Sequence, residues 1–559
     1  MRIAFLSNYT NDLIIRAVKK NLKHRNIGAD FFSSGFNQYA HDILLEDSHF
    51  YQFKPELIFI SIDLNFLLLD LFLKNLTAEE FKNAADKRIA QLFSQLGTLG
   101  NRLPNSKIII DNFYIDSSYS TKTLEYNSNR GIFYVAHEYN IALYEFKNQR
   151  ENFLISDILS LIQKYGEKLL FDRRLYYLSK SRWSNLGTEK LSEVYFGHIN
   201  AYRGFRKKCI VLDLDNTLWG GIVGQDSKEK ILLSNDGVGR AFYDFQVALL
   251  KLYNMGIILA ICSKNNENDA LDVIKNHPYM VLRQEHFAVM KINWESKDKN
   301  LREIASELNI GLDSIVFFDD SSFERNLVLS QIPELTVPDF PEDASNYTEF
   351  LSELDYFNFH SLTTDDVKRN KSYKDNLLRK KTEESSSNIE EYYRSLEMTI
   401  IIKSIDEFSL PRIVQLINKT NQFNLTTKRY SEAEIKHFMQ DKRYTILHIS
   451  LNDKFGESGI VGVVILVLKD ESFYIDTFLL SCRVIGRTIE SAILSHVASL
   501  ATLNGYHTLT GEYIQTEKNE PCKEFYMKHH FKNKSTTFWE LNLDEYKIGC
   551  PEWVKIIGD

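Results

Sequence analysis

Lys208 to Thr217 reads Lys-Cys-Ile-Val-Leu-Asp-Leu-Asp-Asn-Thr. An unbroken apolar run this short is the signature of a strand buried on both faces, as in a parallel sheet. It ends by delivering two carboxylates, Asp213 and Asp215, into a turn. The flanking sequence repeats the theme. Phe242, Phe245, Leu249 and Leu252 recur at helical spacing between Gly239 and Met255, and Gly256 stops that helix. Ile257–Cys262 is the next strand. Leu301, Ile304, Ala305 and Leu308 mark another helix face, stopped by Gly311, and Ile315–Phe318 is a third strand. Strand–helix–strand repetition of this kind predicts a doubly wound α/β unit, with ligands at the carboxyl ends of its strands.

Those ends carry chemistry. Asp213 and Asp215, two positions apart at a strand end, can both reach one small site. Together with the Thr217 hydroxyl they suit a hard cation and a phosphoryl group. Ser263 ends the second strand in ICSKN, Lys297 lies in NWESK, and Asp319 and Asp320 end the third strand in IVFFDD. One carboxylate can attack phosphorus while the other exchanges a proton with the leaving group. Attack of one anion on another needs charge neutralisation, which Mg²⁺ and a lysine supply. Asp-x-Asp alone is weak, because acids at strand ends are common; the four elements in order make the pattern specific. Lys291 rivals Lys297 for the lysine role, and Asp319 precedes Asp320 as the nearer metal ligand.

Around this centre the 559-residue chain divides by pattern into a first domain over 1–196, the central domain over 197–358, a helical connection over 359–396 and a last domain over 397–559. In the first domain Arg2–Ser7, Glu56–Asp63 and Lys107–Asp111 read as buried strands alternating with helical stretches. Their ends carry Ser7, Asn8, Asp63 and Asp111. The connection is charged, lacks a strand pattern, and reads as exposed helix broken at Ser385, Ser386 and Ser387. In the last domain Tyr444–Leu451, Gly459–Leu468 and Phe473–Leu480 read as consecutive strands, the final pair a hairpin turning at Asp470 and Glu471. A helix follows from about Arg487 to Leu503. Antiparallel strands followed by one long helix predict an α+β domain.

Composition is that of a globular protein, 44% hydrophobic and 25% charged. Acidic residues exceed basic ones, 75 to 67, for a net charge of −8, which argues against a nucleic-acid partner. Asp63, Asn65 and Asp70 interrupt the most apolar stretch, Leu57–Leu73, so no membrane span is expected. Five cysteines in this length are not a disulfide framework. With no secretory signal visible in MRIAFLSNYTNDL, the expected location is the cytoplasm.

The central motifs resemble the haloacid dehalogenase (HAD) superfamily, whose domains are Rossmann-like. The resemblance implies Asp213 as nucleophile, Asp215 as acid and base, and Thr217 and Ser263 as holders of the phosphoryl oxygens. Lys297 would be the cation. Mg²⁺ would bind Asp213, Asp319 or Asp320, and Asp215 through its backbone carbonyl. Neither the stretch from Asp213 to Ser263 nor that from Ser263 to Lys297 has room for a large cap domain, so bulky substrates are admitted. More narrowly, KKCIVLDLDNTLWGGIVGQD, INWESKDKNLREIASELNIGLDSIVFFDD, TNQFNLTTKRY and SCRVIGR resemble the FkbH-like proteins of HAD subfamily IIIC. That group takes a three-carbon unit from 1,3-bisphosphoglycerate, removes phosphate, and loads glyceryl on the phosphopantetheine thiol of an acyl carrier protein. A small phosphorylated three-carbon metabolite and a carrier protein are therefore the implied partners.

The first domain is similar in outline to SGNH or flavodoxin-like sheets, with Ser7 where an SGNH nucleophile would stand. It lacks Gly-Asp-Ser and an Asp-x-x-His block, so a degenerate site is expected. In the last domain Arg483-Val484-Ile485-Gly486-Arg487-Thr488 partly matches the Arg-x-x-Gly-x-Gly/Ala loop of GNAT acyltransferases. Arg483, Gly486 and Arg487 would then face a pyrophosphate or pantetheine arm at a helix N-terminus. Cys482, just before the loop, would gain nucleophilicity from that terminus and from Arg483, or else be a buried strand-end thiol. Asn421, Gln422 and Asn424 in TNQFNLTT would line the transfer groove by resemblance, or cap a turn. His529 and His530 could supply a base or be structural. The expectation is a Mg²⁺-dependent phosphatase coupled to acyl transfer. Its rivals are a plain phosphatase on a sugar phosphate or phosphoprotein, and a docking scaffold with a relic site.

Overall fold

The computed structural model describes residues 1–559 apart from 75, 118–131, 205, 227–229, 361–369, 371–372, 374, 376–377, 380–381, 384, 470–471 and 559. The chain forms two compact units, Met1–Phe205 with Asn358–His360, and Arg206–Phe357 with Ser361–Asp559. The sequence limit at 196 falls inside helix Asn185–Tyr202, which buries Leu191, Tyr195, Phe196 and Ile199 in the first unit.

In the first unit β1 (Arg2–Ser7), β2 (Asp30–Ser33), β3 (Leu57–Ser61), β4 (Lys107–Asp111) and β5 (Phe153–Ser156) form a parallel sheet ordered β2-β1-β3-β4-β5. Ile58, Ile60 and Ile110 pack on one face, and Leu57, Phe59 and Ile109 on the other. Burial on both faces is why these strands read as unbroken apolar runs. Helix Asp12–His24 packs through Ile14, Ile15, Val18 and Leu22.

The second unit holds two sheets. The first is parallel, ordered β8-β7-β6-β9, from β6 (Cys209–Leu212), β7 (Ile258–Ser263), β8 (Phe287–Ile292) and β9 (Ile315–Phe318). Helices Gly239–Asn254, Glu267–Asn276 and Lys297–Glu307 connect its strands, and Ser322–Gln331 follows the last of them. Gly256 ends the first of these at φ 88°. The left-handed turn after Lys297–Glu307 belongs to Asn309, at φ 49°, and not to Gly311, whose φ is −68°; asparagine tolerates that region because its short side chain bonds locally.

The larger sheet has nine strands in the order β16-β17-β15-β14-β13-β12-β10-β18, with β11 also on β14. They are β10 (Met398–Ser404), β11 (Phe423–Asn424), β12 (Tyr444–Asp453), β13 (Gly456–Lys469), β14 (Ser472–Leu480), β15 (Thr508–Glu512), β16 (Lys532–Asn533), β17 (Phe538–Asn542) and β18 (Val554–Gly558). The three central strands pair antiparallel as expected, although the turn residues Asp470 and Glu471 lie outside the described residues. Helix Ile489–Leu503 packs on one face through Ala492, Ile493, Val497 and Ala501.

The connection departs from its reading. Asn370, Tyr373 and Arg379 are buried rather than exposed. Asn370 Nδ2 donates to the Tyr253 and Ile257 carbonyls, at 2.6 and 3.2 Å, and Tyr373 joins the core beneath β6 and β9. Arg379 forms a two-pronged ion pair with Asp453 at 2.6 Å for each nitrogen. A guanidinium fork matched to a carboxylate satisfies both buried groups.

Candidate active site

Because β6 lies between β7 and β9, the carboxyl ends of all three converge. Asp213 follows β6, Ser263 closes β7 and Asp319 follows β9; Asp213 N donates to the Phe318 carbonyl at 2.9 Å, locking the two acidic ends together. Carboxylate oxygens of Asp213, Asp319 and Asp320 lie within 4.8 Å of one another. Lys297, at the start of helix Lys297–Glu307, is buried and reaches in between: its Nζ is 2.5 Å from Asp319 Oδ2 and 3.2 Å from Asp213 Oδ2. Burial alone would lower the lysine pKa, but the two carboxylates raise it, so the ammonium stays charged. Asp319 is pushed up to about 6, first by burial and then by the charge of Asp213. Lys291 is excluded from this role, since its Nζ pairs with Glu303 and Glu307 at 2.7 Å each.

The turn after β6 separates the two motif aspartates. Asn216 adopts φ 53° and its Oδ1 accepts from Gly221 N at 2.8 Å, while Tyr347 OH donates to the Asn216 carbonyl. Asp215 is thereby turned away from the acid cluster. Its Oδ1 accepts from Trp219 Nε1 at 2.8 Å and from Val223 N at 3.3 Å, and its Oδ2 accepts from Asn265 Nδ2 at 2.9 Å. Burial raises its pKa, as suits a proton donor. The Asp215 carboxylate is therefore not among the clustered metal-type oxygens; Asp320 is, beside Asp213 and Asp319.

At this site two of the buried side-chain atoms that lack a hydrogen-bond partner among the described residues are Asp213 Oδ1 and Thr217 Oγ1. Native proteins rarely leave such groups unpaired, and at a site they mark where a ligand completes the set. Ser263 is buried beside them at the end of β7. Three hard oxygen donors and an unpaired carboxylate oxygen fit a divalent cation such as Mg²⁺. Sequence reasoning missed the supports. Arg325 NH1 donates to the carbonyls of Asp319 and Asp320, at 2.9 and 2.8 Å, and its NH2 to Asp339. Asn293 and Asn300 join their amides reciprocally and fix the loop before Lys297. The offset of Arg325 from the acids, one helical turn on, is the only signal in the sequence.

The first-domain residues are engaged internally, apart from Asp111 Oδ1, which has no hydrogen-bond partner among the described residues. Ser7 Oγ donates to the Tyr9 carbonyl at 2.5 Å, Asn8 and the Asp63 backbone exchange two hydrogen bonds, and Asp111 accepts from Tyr195 OH at 2.7 Å. Among the described residues Ser7 has no histidine partner.

In the last domain the expected groove residues scatter. Asn424 is buried, its amide spent on Thr420 O and Thr427 N, and Asn421 Oδ1 accepts from Arg429. Strand Phe423–Asn424 pairs with Leu479–Leu480 where β14 passes beyond β15, and Ile514 N donates to the Leu425 carbonyl. The segment thus fills the gap between the two parallel strands and does not line it. Gln422 contributes its carbonyl to Cys522 Sγ. Arg487 is buried against Asp453 at 3.3 Å and donates to the Arg483 carbonyl, while Arg483 Nε reaches Ser481. Gly486, at φ 83°, offers its carbonyl to Tyr393 OH. Cys482 begins a short 3₁₀ turn rather than the long helix, whose first residue is Ile489. The dipole invoked for its thiol therefore starts seven residues later.

Two family models match the chain: FkbH, N-terminal domain, over residues 2–185, and NLI interacting factor-like phosphatase, over 208–368. Among solved structures, the N-terminal part of the protein BF1531 from Bacteroides fragilis, containing a phosphatase domain complexed with Mg, is 32% identical, with a TM-score of 0.60. The match covers 65% of this chain and 94% of that one. A putative GNAT-family acetyltransferase from Desulfovibrio desulfuricans and the Vibrio cholerae spermidine N-acetyltransferase in complex with CoA and spermine each match 26% of this chain. They are 10% and 12% identical over 99% and 97% of their own lengths, at a TM-score of 0.22, too low to bear on the last domain. No curated protein matches.

Proposed function

The chain belongs to the FkbH-like proteins and carries a HAD-type phosphatase domain, and on that premise we propose that it dephosphorylates an activated three-carbon acyl phosphate and passes the glyceryl group to the thiol of an acyl carrier protein. The observation that carries the phosphatase half is Lys297 bridging Asp213 and Asp319, with one Asp213 oxygen left unpaired.

In this reading Asp213 Oδ1 attacks the phosphorus of the phosphate ester and not that of the acyl phosphate, so the mixed anhydride survives to acylate the thiol, its own phosphate leaving as hydrogen phosphate. Lys297 holds the other Asp213 oxygen and neutralises charge as it builds. The Thr217 and Ser263 hydroxyls donate to phosphoryl oxygens. Asp215, held by Trp219 and Asn265, gives its proton to the leaving oxygen and later takes one from water. Asp213, Asp319 and Asp320 would hold Mg²⁺, which supplies charge neutralisation between the two anions. Thioester formation from an acyl phosphate is downhill, so no nucleotide site is required.

The carrier-protein half rests on family membership. The burial of Arg487 and the filling of the β14–β15 gap favour the alternative, a plain phosphatase whose last domain only binds. The free cysteines and the absence, among the described residues, of a helix long and apolar enough to cross a membrane support the cytoplasm as its place of action. The test is to incubate the protein with 1,3-bisphosphoglycerate, Mg²⁺ and a pantetheinylated carrier protein, following phosphate release and carrier mass, for wild type, Asp213→Asn and Cys482→Ala. Phosphate release and a glyceryl carrier that both depend on Asp213 support the whole reading. Release without a carrier adduct reduces it to the plain phosphatase. Loss of the adduct in Cys482→Ala alone makes that thiol a relay.

A further inference from the structure

We propose that Ser491 and His529 form a nucleophile–base pair in the C-terminal domain that accepts an acyl group from an activated carbonyl. Ser491 Oγ lies 2.8 Å from His529 Nε2, and His529 Nδ1 lies 2.7 Å from the Phe525 carbonyl oxygen. A carbonyl only accepts, so Nδ1 carries the ring proton and Nε2 is the bare nitrogen that accepts from the serine hydroxyl. Nucleophile, base and an orienting third group within hydrogen-bond reach are the geometry of an activated serine. The Phe525 ring, 4.9 Å from the imidazole, holds it in place. Burial lowers the His529 pKa, which keeps the ring neutral and basic. Both residues are only half-buried, so a substrate can reach them.

Two further features converge on Ser491. It stands in the first turn of the fifteen-residue helix Ile489–Leu503, where the helix dipole favours developing negative charge. The residue before that helix, Thr488, adopts φ 59°, a left-handed conformation costly for a β-branched side chain, and is held there by Trp553 Nε1 donating to its Oγ1 at 2.8 Å. Strain of this kind concentrates at working sites.

The step balances. Ser491 Oγ forms a bond to the acyl carbon and gives its proton to His529 Nε2. The carbonyl π electrons move to oxygen and return as the bond to the leaving group breaks. A thiolate leaving group takes the proton back from Nε2, and a phosphate leaving group takes the same proton and departs as the hydrogen phosphate dianion. The product is a serine ester, open to attack by an incoming thiol or water. Thioester and acyl phosphate share this chemistry. The proposal borrows from the function above only the class of substrate, and it stands without the Asp213 site.

A fluorophosphonate probe tests it on the full chain, with chelator present and no phosphorylated substrate, so that failure of the phosphatase reading leaves the result untouched. Peptide mapping should place one label on Ser491, absent from Ser491→Ala. His529→Gln, which can hold a hydrogen bond but cannot take the proton, should label at least about 100-fold more slowly. Acetyl phosphate and S-acetyl-N-acetylcysteamine, in separate arms, identify which leaving group yields the acetyl-serine. An unlabelled wild type, a label elsewhere, or His529→Gln labelling at the wild-type rate would overturn the pair.

Discussion

Asn309 Nδ2 donates to the Cys482 carbonyl oxygen at 2.8 Å. Asn309 follows the far end of helix Lys297–Glu307, whose first residue reaches Asp213 and Asp319. Eleven helical residues span about 16 Å, so Cys482 and the phosphate site sit at opposite ends of one helix. Lys518 and Asp313, an ion pair at 2.9 Å, tie the last domain to the same end. Under the proposed function, acyl transfer to Cys482 would therefore need a mobile arm or carrier to bridge that length.

Lys297→Met should abolish most phosphatase activity. It leaves Asp213 and Asp319 buried beside each other without their cation. We expect phosphate release from p-nitrophenyl phosphate to fall by about 100-fold or more, in kcat rather than KM. Lys291→Met, which removes only an outer pair with Glu303 and Glu307, should retain wild-type kcat.

Asn265→Ala should act on the proton donor alone. Its amide fixes one oxygen of Asp215 at 2.9 Å. A drop in kcat of about 10-fold with little change in KM is expected. A KM effect without a kcat effect would assign Asn265 to substrate binding instead.

Asp111→Asn should stabilise the first unit near neutral pH. Burial pushes Asp111 up to about 6, against an unfolded value near 4. The unfolded state therefore binds fewer protons across that window, and stability falls as pH rises from about 4 to 6, then levels. The ionised form costs about 2–3 kcal/mol above pH 6. Calorimetry of the full chain should show the first unit's transition rising in the variant at pH 7.5 and unchanged at pH 4.

Arg379→Met should loosen the last domain. Asp453 is fully buried and paired to both Arg379 and Arg487. Removing the fork costs about 3–5 kcal/mol, read as a lower urea midpoint and earlier proteolysis near 385–387. Arg379→Lys should rescue little, because an ammonium cannot make both bonds.

Much of this was legible from residues alone. Strands β1, β3, β4, β6, β7 and β9 announce themselves because burial on two faces demands continuous Ile, Val, Leu and Phe; β2, β5 and β8, at sheet edges with mixed burial, do not. The acids, hydroxyl and lysine at their ends are ordered along the chain as the strands order them in space. What the chain hides is every property set by distant contacts. Lys291 and Lys297 look alike in sequence, and only the outer pair with Glu303 and Glu307 separates them. Arg487 reads as an anion ligand until Asp453 and Arg379 surround it. Asn370, Tyr373 and Arg379 lie in a charged stretch that looks exposed, and three scattered residues carry too little pattern to show that they are buried.

The sequence by itself determined strands β6, β7 and β9 and the acids, hydroxyl and lysine placed at their ends, since periodicity and residue type follow local burial and valence. Tertiary structure alone decided that Asp215 stands apart from the acid cluster, that Cys482 lies a helix length from Asp213, and that Ser491 meets His529. Each depends on groups far apart in sequence coming within hydrogen-bond reach, and no local pattern encodes a distance.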